Sequence, residues 1–158
     1  MNSKSKWLKR IVLAIIVVIL SALLILFSYV LGHEKGLMDY QESLAQLPEV
    51  ERVVEIGEYN GTESYYVAKV LLRNESEHYY FIKENVVEYN IPVEELITGE
   101  EAANRALSFA GSGIVKHYYL GLENKKPIYE VMLSAEKGEQ YLMIDAKTGD
   151  LISHFIID

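Results

Sequence analysis

Residues 127–153 read PIYEVMLSAEKGEQYLMIDAKTGDLIS, a run with the two-residue period of β-strands. Tyr129, Val131, Leu133 and Ala135 recur at every second position, so an extended strand here would gather them on one face. The stretch predicts strands over Pro127 to Ala135 and Glu139 to Asp145, with another at Leu151 to Ile157. Polar turns at Glu136 to Gly138 and Lys147 to Asp150 separate them, the second with glycine where a positive φ is wanted. Strands joined by turns this short can only pair antiparallel.

Moving toward the N-terminus, Ile114 to Leu122 is a further strand, joined to the next by the turn Glu123 to Lys126. Before it, Thr98 with Glu101 three residues on forms a capping box, and Glu100 and Glu101 suit the positive end of a helix dipole. The helix puts Ala102, Ala103, Ala106, Leu107 and Ala110 on one side, and Gly111 and Gly113 end it. The same order occurs once more upstream. Leu37, Tyr40, Leu44 and Leu47 mark a short amphipathic helix over Gly36 to Leu47, stopped at Pro48. Strands follow at Val50 to Tyr59, Ser64 to Leu72 and His78 to Lys83, with a short fourth at Val86 to Ile91. Asn60-Gly61 is a strong hairpin signal between the first two, and Arg73 to Glu77 is the next turn. The sequons Asn60-Gly61-Thr62 and Asn74-Glu75-Ser76 read more simply as turns. The halves align at an offset of about 62–64 residues, with Tyr66 on Tyr129, Tyr79 on Tyr141, Ile82 on Ile144 and Val87 on Leu151. A fold of class α+β is expected: two tandem units, 33–92 and 93–158, each a helix on a curved antiparallel sheet.

From Ile11 to Leu31 the chain runs 21 residues without a charge. As a helix this spans roughly 31 Å, about the thickness of a bilayer's hydrocarbon core. Lys4, Lys6, Lys9 and Arg10 precede it, His33, Glu34 and Lys35 follow, and Trp7 and Tyr29 stand near the two interfaces. Basic residues stay inside, so 1–10 is expected as a cytoplasmic tail, 11–31 as a single-pass anchor, and the rest outside the cell. A cleaved signal peptide would have a shorter apolar region ending in a small-x-small site, and Val30-Leu31-Gly32 matches poorly. With no cysteine there is no lipid attachment site of the lipoprotein kind.

Four of the 15 Lys and Arg residues precede the apolar run and none of the 23 Asp and Glu do, which leaves 33–158 with a net charge of about −12. Such a field repels nucleic acid, anionic lipid head groups and anionic wall polymers, and favours a cationic protein surface. The absence of cysteine means the exported part is held by its core alone, which suits a bacterial surface.

No pattern of catalytic residues stands out, and the expectation is a protein that is not an enzyme. His33, His78, His117 and His154 are scattered singly, with no HExxH and no histidine–cysteine spacing. Asp145-Ala146-Lys147-Thr148-Gly149-Asp150 resembles part of a calcium loop but lacks its alternating acids and distal glutamate. No metal, cofactor or small-molecule substrate is expected. The unusual enrichment is tyrosine, 12 residues, including the adjacent pairs Tyr65-Tyr66, Tyr79-Tyr80 and Tyr118-Tyr119. In a strand each pair sends one ring to either face. Tyr65, Tyr79 and Tyr118, with Asp145 and Asp150, are the candidate protein-binding surface.

Over residues 98–156, TGEEAANRALSFA followed by PIYEVMLSAEKGEQYLMIDAKTGDLIS is similar to the PepSY domain. The resemblance rests on the helix start Glu100 to Ala103, the strand Tyr129-Glu130-Val131 and the hairpin Ile144-Asp145-Ala146-Lys147-Thr148-Gly149-Asp150. The layout of basic tail, anchor, divergent first unit and C-terminal PepSY unit resembles the TseB (YpmB) family of Gram-positive cell wall elongation regulators. That resemblance implies a cystatin-like fold for each unit, no catalytic residues, and a role in binding and regulating a penicillin-binding transpeptidase at the outer face of the membrane. PepSY units also occur in protease propeptides, which implies the alternative of a module that modulates or inhibits a cell-surface peptidase.

Overall fold

A computed structural model describes residues 3–136 and 138–157, except the side chains at positions 3–6, 8, 9 and 29–35. The expected interface placement of Tyr29 and the side chains of Lys4, Lys6, Lys9, His33, Glu34 and Lys35 lie outside the described residues. Helix α1 runs Ser3–Ala45, followed by strands β1 (Val50–Asn60), β2 (Ser64–Leu72), β3 (Glu77–Lys83) and β4 (Val86–Pro92). A single 3-10 turn, Val93–Glu95, leads to helix α2 (Gly99–Ala110) and strands β5 (Ile114–Glu123), β6 (Lys126–Ala135), β7 (Gly138–Asp145) and β8 (Leu151–Ile157). The chain divides into two compact units, Met1–Tyr40 and Gln41–Asp158.

The first unit is helical. Within it Arg10–Ser28 is a 19-residue stretch long and apolar enough to cross a membrane, and none of it is buried in protein. By length and composition it fits a membrane anchor or a signal sequence. The short amphipathic helix expected at Gly36 to Leu47 is not a separate element, because no residue between Leu31 and Gly36 breaks the backbone hydrogen-bonding pattern and α1 continues to Ala45. Gly32 and Gly36 weaken a helix without ending it.

The second unit holds two four-stranded antiparallel meanders, β1-β2-β3-β4 and β5-β6-β7-β8. The pairing repeats. Tyr66, Ile82 and Val87 are cross-strand partners in the first sheet, as Tyr129, Ile144 and Leu151 are in the second. Register shifts fall between Val53 and Glu55 and between Phe81 and Ile82, and recur between Val115 and His117 and between Met143 and Ile144. Bulges at matching places bend both sheets alike.

Alanines let α2 sit close on the second sheet. Ala102, Ala103 and Ala106 pack against Tyr129, Val131, Leu133, Leu142 and Ile144, all buried. Thr98 caps the helix, its hydroxyl oxygen accepting from the Glu101 amide at 3.1 Å, and Gly111 closes it at φ 79°. In the first sheet one face buries Ala68, Val70, Tyr80 and Ile82, and Leu44 at the end of α1 is buried as well. The other face carries Tyr59, Tyr65, Phe81 and Ile91, which form one core with Leu122 and Ile128 of the second sheet. The meanders are therefore joined through a shared apolar core.

Candidate functional site

The β1–β2 hairpin reaches across to the second sheet and is latched there. Tyr59 donates its hydroxyl to Glu123 Oε1 at 3.2 Å, and the Thr62 amide donates to the same oxygen at 2.8 Å. A side chain at Gly61 would strike Glu123 and the Tyr59 ring, and one at Gly121 would strike the Tyr59 ring. Burial, with Glu123 nearby, pushes the Tyr59 hydroxyl well above its ordinary pKa, so it stays a donor. The latch holds β1 and β2 against β5.

Beside that contact lies a cleft of about 400 Å³, lined among others by Glu55 and Gly57 of β1, Tyr79 of β3, Tyr118 of β5 and Tyr129 of β6. Its volume falls in the ~300–1,000 Å³ range of ligand pockets. Glu55, Gly57 and Tyr79 share one sheet face because Glu55 pairs with Lys69, Gly57 with Val67, and Lys69 in turn with Tyr79. Tyr118 and Tyr129 meet edge to face, with ring centroids 6.5 Å apart at 79°. Tyr129 is buried and donates its hydroxyl to the Ile97 carbonyl at 3.1 Å. Tyr118 leans over Gly99, where a side chain would collide with its ring, yet 44% of it stays exposed. Burial raises the pKa of Tyr79, with Glu55 adding to it, and burial does the same for Tyr129, with Tyr79 and Tyr118 adding. Tyr79 and Tyr129 therefore stay neutral, and Glu55 lines the same cleft.

Of the five candidate surface residues, only Tyr79 and Tyr118 come together, in this cleft. Tyr65 does not present its ring; it is 5% exposed in the core, its hydroxyl 2.7 Å from Glu63 and 3.2 Å from Glu88. Asp145 and Asp150 lie on the β7–β8 turn. Asp145 Oδ1 accepts from the amides of Lys147 and Thr148 at 2.8 and 3.0 Å, which folds the turn, and Thr148 bonds Asp150 at 2.7 Å. Lys147 pairs with Glu95 at 3.0 Å. Among the described residues no three of His, Cys, Asp or Glu gather as a metal-holding group. Glu55, Gly57 and Tyr129 are among the cleft residues outside that set. A glycine inside a Val/Ile-rich strand was the signal available, since it marks close approach or open space rather than good strand packing.

A second surface is the outer strand β8, where Ile152, Phe155, Ile156 and Ile157 are all more than half exposed, on both faces of the sheet. Edge strands in soluble proteins are usually blunted by charge.

Residues 96–155 match the family described as peptidase propeptide and YPEB domain, PepSY. Among solved structures, the YpmB protein from Bacillus subtilis is similar at a TM-score of 0.64 and 19% identity, over 73% of this chain and 96% of that one. A structure from Clostridium difficile, described as that of a putative lipoprotein, is similar at a TM-score of 0.39 and 16% identity, over 65% of this chain and 80% of that one. No curated protein matches the sequence. The chain carries a PepSY domain in its C-terminal half, and it has the fold of YpmB.

Proposed function

We propose that this PepSY-domain protein is a membrane-anchored, extracellular, non-catalytic regulator of cell wall elongation, which binds and modulates a penicillin-binding transpeptidase. The observation that carries the reading is one short chain holding both an apolar span of membrane length and a PepSY domain. A chain held by that span, with its N-terminus in the cytoplasm, meets partners held in the same membrane. The acidic balance of residues 33–158 favours a partner with a cationic surface. The resemblance to the regulators of cell wall elongation supplies the partner class. Crosslinking in the native cells, followed by identification of the captured proteins, tests it. Recovery of a penicillin-binding transpeptidase is the expected result, and recovery of no wall-synthesis protein would sink the reading.

The family's description as a peptidase propeptide supports a second reading, a modulator of a cell-surface peptidase. Purified full chain would then lower the activity of extracellular peptidases, and unchanged activity would count against it.

A further inference from the structure

We propose that the cleft between the two sheets, lined by Tyr79, Tyr118, Tyr129, Glu55 and Gly57, is a receptor for a positively charged side chain, arginine or lysine, of a partner protein. It rests on the reading of this chain as a protein-binding module and names the chemistry that the partner brings.

Four tyrosines line one space, Tyr79, Tyr118 and Tyr129 together with Tyr119. Tyrosine faces attract a cation placed within about 6 Å of the ring centroid, and a nearby carboxylate adds charge. Tyr129 is held by its bond to Ile97, and Tyr118 packs on Tyr129 and Gly99, so these two rings are set before a ligand arrives. The chain already uses this chemistry elsewhere. Lys83 sits 5.8 Å from the Tyr65 ring centroid, with Glu63 3.0 Å from its ammonium.

The cleft itself is open. A Cβ at Gly57 would meet no atom within 4 Å, although the residue stands in the interior of a strand. Lys69, across from Glu55 on β2, interacts electrostatically with Glu55 and Tyr79, but its ammonium is held in an ion pair by Glu77 at 2.8 Å. The positive end of α2 begins at Gly99 beside the cleft, and Glu100 and Glu101 in its first turn offset it. Charge complementarity selects the occupant: an acidic domain with a tyrosine-lined cleft takes a cation, and a second copy of the same acidic chain would be repelled.

The test uses the full chain in nanodiscs with 13C-labelled tyrosine rings. It is titrated with short alanine peptides identical except for a central arginine, lysine, citrulline or norleucine. The arginine and lysine peptides are expected to shift the Tyr79, Tyr118 and Tyr129 ring signals saturably, binding about tenfold tighter than the neutral peptides. Gly57→Leu, which fills open space, and Tyr118→Leu, at a half-exposed position, should each weaken binding severalfold while the thermal midpoint stays near that of the unaltered chain. Equal binding by citrulline or norleucine, shifts confined to tyrosines outside the cleft, no saturable shift, or unchanged binding by both variants would each overturn the proposal. Ring shifts read the cleft whatever crosslinking recovers, and crosslinking reads the partner whatever the peptides do, so the two proposals fail separately.

Discussion

The ring of Tyr59, on the first sheet, occupies the space that a side chain at Gly121, on the second, would need. Tyr59 belongs to the core shared by the two sheets and donates to Glu123, so Gly121 is the position that lets β1 lie on β5. Gly121→Ala is therefore expected to cost roughly 2–3 kcal/mol through overpacking. Tyr59→Phe keeps the ring and loses one hydrogen bond, for about 1 kcal/mol. Urea unfolding of the full chain in detergent checks the order. A Gly121→Ala variant as stable as Tyr59→Phe would contradict the close approach.

The α2 cap gives a second prediction. Thr98→Ala removes the acceptor for the Glu101 amide and should cost about 1 kcal/mol, whereas Thr98→Ser should restore most of it. Thermal unfolding followed by far-UV circular dichroism reads both.

At the PepSY hairpin, Gly149 has φ 77° and lies under the Arg105 side chain, whose Nη1 donates to the Thr148 carbonyl at 3.2 Å. Gly149→Ala meets both a backbone penalty of roughly 1–2 kcal/mol and the guanidinium. Arg105→Ala loses only a half-exposed pair with Glu101 and that one bond, and should cost less than about 1 kcal/mol. In the double variant, part of the Gly149→Ala cost should disappear, which a double-mutant cycle measures.

Burial raises the pKa of Glu130 above the ordinary carboxylate range, with Glu123 adding and His117 opposing. The folded state then holds its proton more tightly than the unfolded chain, so stability falls as pH rises through the window above the unfolded value of about 4.3. Glu130→Gln should stabilise the protein at pH 7, and its advantage should vanish below that window. Urea titrations at acidic and neutral pH check the sign.

The strands were legible because alternation and turn residues agree; β2 and β8 run from Ser64 to Leu72 and Leu151 to Ile157, as the pattern predicts. The turn chemistry was harder. Asn60-Gly61 signals a two-residue turn with positive φ, but β1 and β2 close over three residues and neither position has positive φ. Gly61 is needed there because Tyr59 and Glu123 crowd it, and Glu123 lies about 60 residues away in sequence, where no local pattern records it. Positive φ appears instead at Glu84-Asn85 and Asn124-Lys125, two-residue hairpin turns without glycine. The cleft was half legible. Tyr79 and Tyr118 stood out by type, while Gly57 and Glu55 acquire meaning only when β1 is laid beside β5.

The proposed function of this chain is the binding of a transpeptidase of wall synthesis in the membrane. Its most direct test is co-reconstitution of the full chain with the penicillin-binding transpeptidases of the same cells in nanodiscs, with binding measured by fluorescence at increasing salt. Saturable binding to one of them, weakening as salt screens the acidic domain, is the predicted result. No binding to any of them at low salt would contradict it.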